Sequence, residues 1–250
     1  SFGASIAIDK DTLAVGAHVD ASGATGVSAA PAVDNTAKNS GAVYVFTRGD
    51  GTWPLQAYVK PSNTRADADF GKSVSVRGDT LAVGSPGESS GVVGDPASTS
   101  APGAGAAYVF QRSGAAWSPE GYVKASNTLA GAGFGVSVAL GASNTLAVGA
   151  DSESSAATGI NGNQSDASAA YAGAAYVFGL DAGAWSQHAY VKASNTRKGP
   201  TGYAYFGSWV ASDGDSLVVG ATGEYSASPG VGANPSDTSA QSAGAVYVIR

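Results

Sequence analysis

The sequence has no cysteine and no methionine. Without cysteine there is no disulfide framework, no thiolate metal site and no cysteine nucleophile. There are two histidines, His18 and His188. With so few, no Ser-His-Asp ordering or histidine pair at metal spacing can be assembled, and glycine is too common for any phosphate-loop match to carry information. Charged residues are only 13% of 250. A chain so poor in Lys and Glu and so rich in Val and Tyr reads as all-β. No apolar run approaches the roughly 20 residues of a membrane-spanning helix. The net charge of −6 argues against nucleic acid, which wants a basic face. The chain opens on Ser1 and lacks methionine, which reads as a mature or excised segment. At this length about three quarters of the unfolded surface can be buried, so no covalent staple is needed.

What is present is repetition. "QAYVKPSNT" at 56–64, "EGYVKASNT" at 120–128 and "HAYVKASNT" at 188–196 are one string written three times, at spacings of 64 and 68 residues. Three other signatures recur four times each. "FG" stands at 2–3, 70–71, 134–135 and 206–207. "LAVG" follows at 13–16, 81–84 and 146–149, with "LVVG" at 217–220. Then come "GAVYVF" at 41–46, "GAAYVF" at 105–110 and 173–178, and "GAVYVI" at 244–249. A Trp (Trp53, Trp117, Trp185) precedes each copy of the nine-residue string. Such a period marks an array of like units. The units run 2–69, 70–133, 134–205 and 206–250 within a single 1–250 domain.

Each signature reads as a short strand bounded by Gly, Asp, Asn or Ser. The first two strands of each unit are joined by tight turns such as "RGDT" and "DGDS", whose Gly and Asp accept positive φ. In "AVYVF" both alternating faces are apolar, so such a sheet must be covered on both sides. Radially packed propeller blades achieve this, each sandwiched between neighbours. The Gly of each "FG" lets one backbone pass close to an adjoining blade. The expected fold is therefore an all-β, propeller-like array of four antiparallel four-stranded blades. The last lacks its outer strand, giving 15 strands. An ordinary β-sandwich is the competing fold, but sandwiches do not require sequence repetition.

"FGKSVSVRGDTLAVGSP" (70–86) and "FGVSVALGASNTLAVGA" (134–150) resemble the FG-GAP repeat of integrin α-subunit propellers and of bacterial surface proteins. The resemblance spans the chain. It implies a meander within each blade, with the "FG" strand innermost and the "AYVK" strand outermost. It also implies an extracellular or cell-surface adhesion role. Two departures stand out. Integrin propellers have seven blades and this chain supplies four. The family's calcium loop, a run of alternating Asp between the first two strands, is replaced by turns too short for a cage of six to eight oxygens.

The carboxylates lie instead in the long connections at 17–40, 85–104, 150–172 and 221–243. These hold nine acids and one lysine, Lys38, so the remainder of the chain is net positive. Structureless loops this long are usually functional or disordered. Each has an acid four residues after the Gly of "LAVG" or "LVVG": Asp20, Glu88, Glu153 and Glu224. Asp34, Asp166 and Asp237 stand seven before the next strand's Gly, and Asp95 ten before. Asp151 completes the nine, and Asn161 and Asn163 add oxygens. Two readings of this set stay open. Calcium clipped between the two ends of each loop is one. Satisfaction of backbone N–H groups at turns is the other.

Other side chains carry narrower expectations. Lys60, Lys124 and Lys192 are expected to guard the exposed edge of the outer strand. Asn63, Asn127 and Asn195 are expected to stabilise the turn into the next blade. Lys192, Arg197 and Lys198 are placed to offset part of the acidic field, and the Trp residues to cover blade edges. Arg-Gly-Asp occurs at 48–50 and 77–79, both at hairpin turns where Gly-Asp is ordinary chemistry. His188 reads as a surface residue, and His18 has no counterpart in the other loops. Trp209 replaces the Ser5, Ser73 or Ser137 of the other units, through different packing or because a neighbouring blade is missing. The functional expectation is an extracellular, non-enzymatic binding or adhesion module. It would meet a protein or glycan ligand on the long-loop face. The rivals are a glycan-binding lectin and a structural subunit of a surface layer or filament that self-associates through its incomplete blade.

Overall fold

The computed structural model describes residues 1–197, 203–232 and 234–250. Among them there is no helix, and so none able to cross a membrane; strands form four antiparallel sheets arranged as the blades of a propeller. Blade 1 contains β1 (Ser5–Asp9), β2 (Thr12–Ala17), β3 (Val27–Ser28), β4 (Ala42–Thr47) and β5 (Leu55–Val59), in the order β1-β2-β4-β5-β3. Blade 2 is the plain meander β6 (Ser73–Arg77), β7 (Thr80–Ser85), β8 (Ala106–Ser113) and β9 (Ala116–Val123). Blade 3 holds β10 (Ser137–Leu140), β11 (Thr145–Ala150), β12 (Gly159–Ile160), β13 (Ala174–Asp181) and β14 (Ala184–Lys192), ordered β10-β11-β13-β14-β12. Blade 4 stops at three strands: β15 (Phe206–Ser212), β16 (Leu217–Ala221) and β17 (Ala245–Ile249).

Among the described residues the strands number 17 rather than 15. The two additional strands, β3 and β12, are two-residue pieces of the long loops in blades 1 and 3. They fold back onto the outer strand, pairing Val27 with Val59 and Ile160 with Val191. An outer strand presents unpaired N–H and C=O groups, and a nearby loop can satisfy them. No periodicity announces so short a pairing.

The core is divided into three layers, each between successive blades. The first joins Ala14, Val43, Val45 and Val59 of blade 1 to Phe70, Leu81, Tyr108 and Phe110 of blade 2. The second joins Ala82, Ala107 and Val109 to Phe134, Leu146, Tyr176 and Phe178. The third joins Ala147, Ala175 and Val191 to Phe206, Leu217 and Val219. Alternation in "AVYVF" therefore has a purpose beyond greasing both faces. The Ala/Val face looks to the next blade and the Tyr/Phe face to the preceding one, so large side chains fill hollows left by small ones.

Gly41 marks one close approach of adjacent blades. Its φ is +80°, and a Cβ there would lie 1.9 Å from the Phe70 carbonyl oxygen. Gly41 and Phe70 form a parallel bridge, repeated by Gly105 with Phe134 and by Gly173 with Phe206. Beside each bridge a serine hydroxyl donates to the carbonyl of the next "FG" glycine. These bonds run Ser5 to Gly71 (2.8 Å), Ser73 to Gly135 (2.9 Å) and Ser137 to Gly207 (2.8 Å). Trp209 holds the fourth such position. Trp209, Val246 and Val248 are 72%, 69% and 61% exposed, whereas Val43, Val45 and Val109, at the places of Val246 and Val248 in other blades, are fully buried. On blade 1, the opposite face leaves Phe2, Ile6 and Ile8 exposed.

Candidate functional site

The four long loops share one end of the propeller because each connects the second strand of a blade to the third. Each begins with the same turn. The N–H of the acid bonds back three residues, as from Glu88 to the Ser85 carbonyl at 3.1 Å and from Glu153 to Ala150 at 3.2 Å. The acid's own carbonyl then accepts the N–H of the glycine that opens the third strand. These bonds are Gly41 to Asp20 (3.0 Å), Gly105 to Glu88 (2.9 Å), Gly173 to Glu153 (2.9 Å) and Gly244 to Glu224 (3.0 Å). A loop of some 20 residues thus has backbone bonds tying its stem, to which side chains add.

The carboxylate of that acid meets a lysine. Tyr and Lys in "AYVK" are two residues apart, hence on one face of the outer strand, and that face is covered by the loop stem. Lys60, Lys124 and Lys192 are only 1%, 4% and 3% exposed. This corrects the expectation that they guard an exposed edge. Lys124 Nζ donates to Glu88 Oε2 at 2.9 Å and to the Gly105 carbonyl at 2.5 Å. Lys192 Nζ donates to Glu153 Oε2 at 2.7 Å. Lys60 Nζ lies 3.5 Å from Asp20 Oδ1 and donates to the Ser22 and Gly41 carbonyls at 2.7 and 2.6 Å and to Ser40 Oγ at 2.8 Å. Burial lowers the pKa of all three amines, and the facing carboxylates offset part of that shift. A buried ammonium is tolerated because charge and hydrogen-bonding capacity are met together.

The second acid of each loop closes the far side by accepting N–H and O–H groups. Asp34 takes Thr36 Oγ1 (2.6 Å), Gly23 N (2.7 Å), Ser22 Oγ (2.7 Å) and Thr36 N (3.2 Å), which together hold its carboxyl far below the usual range. Asp166 accepts from Ala156 N and Ser168 N, and Asp95 from Ala97 N. Asp237 accepts from Ser239 N, Ala227 N and Ser228 Oγ, and the bonds from Ser239 lead in lowering its pKa. Asn161 Oδ1 accepts from Tyr190 N and Asn163 Oδ1 from Ser165 N. Asp151 is half-buried against Ser152 Oγ at 3.0 Å, and burial raises its pKa. Glu224 takes Asn195 Nδ2 and Ser226 N, both at 2.8 Å.

The loop carboxylates are thus taken up by hydrogen bonds within the loop; in the first, Ser22 bonds both Asp20 and Asp34. Among the described residues no three His, Cys, Asp or Glu side chains gather as a metal site. A hard cation wants six to eight oxygens, and the carboxylates here already accept from N–H and O–H groups of the loops. In blades 1 to 3 the stem carboxylate already faces an ammonium.

A further layer ties blades together at this end. The Asn of "SNT" reaches across to the next blade's loop rather than only bracing its own turn. Asn63 Nδ2 donates to the Pro96 carbonyl at 2.9 Å, while its Oδ1 accepts from Tyr108 Oη at 2.7 Å. Asn127 and Asn195 repeat this with Tyr176 and Tyr247. Arg65, not singled out by the sequence reading, fixes the second loop through the carbonyls of Pro96, Ala97 and Ser98. Its signal was the "SNTR" shared by 62–65 and 194–197. Arg197 sits 5.2 Å over the Tyr225 ring; Lys198 lies outside the described residues. Trp117 and Trp185 pack toward the preceding blade's outer strand, with Nε1 donating to Gln56 and Glu120.

With stems and sides held, each loop also shows an apolar side chain outward among its exposed polar residues. Val33, Val93, Ile160 and Val231, one from each loop, are exposed. Between blades 3 and 4 an exposed tyrosine pair, Tyr171 and Tyr203, stands edge to face at 5.2 Å. An axial cavity of about 610 Å³ is bordered by Ser5, Lys72, Ser73, Ser137, Asp151 and Trp209. At the opposite end both Arg-Gly-Asp copies are engaged within the fold. Arg48 pairs with Asp11 at 2.6 Å, Asp79 with Arg112 at 2.7 Å, and Gly78 N donates to Asp9. His188 is a surface residue paired with Asp181 at 2.6 Å. His18 meets Ser1 Oγ at 3.3 Å.

The family model described as FG-GAP repeat matches residues 1–46 and 53–110. No curated protein matches the chain.

Proposed function

The chain is an FG-GAP repeat β-propeller, and on that footing we propose that it is a non-enzymatic, extracellular or cell-surface binding module that holds a protein ligand at its long-loop end. The observation that carries this reading is an exposed branched aliphatic side chain on every long loop: Val33, Val93, Ile160 and Val231. Exposed branched aliphatics set on braced loops suit a protein surface better than a sugar, which is met by aromatic faces and polar groups. The clamped stems support the same reading, because loops ordered in advance lose less entropy when a ligand docks.

One observation favours the lectin reading: the exposed Tyr171–Tyr203 pair offers a face on which a sugar ring could stack. The two readings are separated by probing purified extracellular proteins and a glycan array in parallel with the intact chain. The protein reading expects saturable protein binding that is lost when Val33, Val93, Ile160 and Val231 are all changed to Ser. Saturable glycan binding lost with Tyr171→Ala and unaffected by the valine and isoleucine changes would transfer the assignment to the lectin.

A further inference from the structure

At the end away from the long loops, an arginine fills the crevice between blades 1 and 2. Arg112 lies opposite Trp117 in the β8–β9 pair, and its guanidinium sits 5.0 Å over the Trp117 ring. Its Nε and Nη2 hold Asp79 Oδ1 at 2.8 and 2.7 Å, and Nη1 donates to Thr12 Oγ1 at 2.9 Å. Trp117 Nε1 donates to Gln56 Oε1 at 2.8 Å. With the arginine in place, Thr12 and Trp117 are only 3% and 5% exposed.

The next crevice, between blades 2 and 3, has the same frame without the arginine. Leu180 stands opposite Trp185 as Arg112 stands opposite Trp117. The Leu180 N–H bonds the Asn144 carbonyl at 3.2 Å, as that of Arg112 bonds the Asp79 carbonyl at 2.8 Å. Trp185 Nε1 donates to Glu120 Oε2 at 3.2 Å, so a carboxylate stands where blade 1 has the Gln56 amide. Thr80 takes the place of Thr12. A leucine cannot make the bonds of a guanidinium, and Thr80 and Trp185 stay partly exposed. With Glu120, Asn144 and Leu180 they border a cavity of about 710 Å³. None of the ion pairs among the described residues includes Glu120. Asp9, Lys10 and Arg77 border the cavity beside the innermost strands, and Glu120 borders it from an outer one.

We propose that this crevice takes a guanidinium group, carried by an arginine side chain of a protein ligand. The incoming group lies on the open Trp185 ring, as Arg112 lies on Trp117, and donates to the Glu120 carboxylate. Thr80 Oγ1 gives its proton to Gln111 Oε1 at 3.0 Å and is left to accept a further N–H. A guanidinium is flat and weakly hydrated, so it can stack on a ring and donate to a carboxylate at once. A lysine ammonium is a compact, strongly hydrated point charge and gains less from such a cleft. The charge-assisted bond to Glu120 is the strongest part of the recognition. A peptide-borne arginine is favoured because Arg112 fills the neighbouring crevice from a backbone. The site lies at the end opposite the long loops and stands whether or not they hold a ligand.

The test follows the Trp185 indole N–H by nuclear magnetic resonance, assigned with Trp185→Phe, as the intact chain is titrated with N-acetylarginine methylamide, its citrulline analogue and free arginine. The expected result is a saturable shift with the blocked arginine and binding about tenfold weaker with citrulline, which keeps the shape and loses the charge. Glu120→Gln, at an exposed position, should weaken the blocked arginine by about the same factor. Leu180→Arg should fill the crevice from within, abolish the titration and raise the melting midpoint. If Leu180→Arg fails to fold by circular dichroism, the comparison of arginine and citrulline on the unaltered chain decides alone. No saturable shift, equal binding of arginine and citrulline, or undiminished binding to a folded Leu180→Arg would overturn the proposal. Free arginine binding more tightly than the blocked form would overturn the assignment to a protein ligand in favour of the amino acid itself.

Discussion

Changing Lys192 to Met probes the loop clamp at its most buried copy. Lys192 and Glu153 are 3% and 1% exposed, with Nζ 2.7 Å from Oε2. Methionine keeps most of the apolar stem and removes only the charged end, so the loss is electrostatic rather than a cavity. Leaving one member of a buried pair behind costs about 3–5 kcal/mol. For a chain of this size each kcal/mol lowers the melting midpoint by roughly 2–4 °C, giving an expected drop of about 6–20 °C. The Lys192→Met/Glu153→Gln double variant should regain more than half of that loss. A neutral amide still accepts from Asn127 Nδ2, which bonds Glu153 Oε1 at 3.0 Å, and no longer strands a charge. Far-UV circular dichroism melts of the two single variants and the double variant form a complete cycle. A Lys192→Met midpoint within a degree or two of the parent, or a double variant no better than the single, would show that the pair does not close the loop.

Three other outcomes follow from the geometry. Gly41→Ala should cost several kcal/mol, since positive φ alone costs about 1–2 kcal/mol and the new Cβ would meet the Phe70 carbonyl oxygen at 1.9 Å; Gly94→Ala, also at φ +80° but facing open space, should show only the conformational part by urea denaturation. Burial raises the Asp151 pKa above 3.8, so the folded chain holds that proton more tightly than the unfolded one. Its contribution to stability is present below the unfolded pKa and is lost as pH rises through the folded value, so Asp151→Asn should raise the melting midpoint at pH 7 with the gain vanishing near pH 3.5. A lowered midpoint at pH 7 would mean that attraction to Lys72 or a bound cation outweighs burial. The open faces around Val246 and Val248 on blade 4 and Ile6 and Ile8 on blade 1 repeat surfaces that dock between inner blades, so light scattering should show head-to-tail association that rises with concentration and is suppressed by Val248→Lys.

The repeat and the three-stranded last blade were legible because each rests on local chemistry, while the strand order within a blade came from the resemblance to the FG-GAP repeat. "LAVG" and "AVYVF" can only be strands covered on both faces, and "RGDT" can only be a turn. The fate of Lys60, Lys124 and Lys192 was not legible. A lysine near the end of an outer strand is ordinarily solvated, and it takes the folded loop stem to bring the acid four residues past "LAVG" over it. The role of Ser5, Ser73 and Ser137 was hidden for a similar reason: their acceptors, the "FG" carbonyls, lie more than 60 residues away. For the carboxylates, regular spacing displayed the pattern but not the partner, since calcium and lysine ask for the same acid. β3 and β12 are too short to leave a pattern.

That lysine ammonium groups close the long loops without help from a bound metal is tested most directly by melting the chain in millimolar calcium and again in chelator. The two curves should superimpose. A calcium-selective site filled at a hundred times its dissociation constant would add about 2.7 kcal/mol. A midpoint higher in calcium by about 5–10 °C would therefore contradict the account and return the loop carboxylates to metal binding.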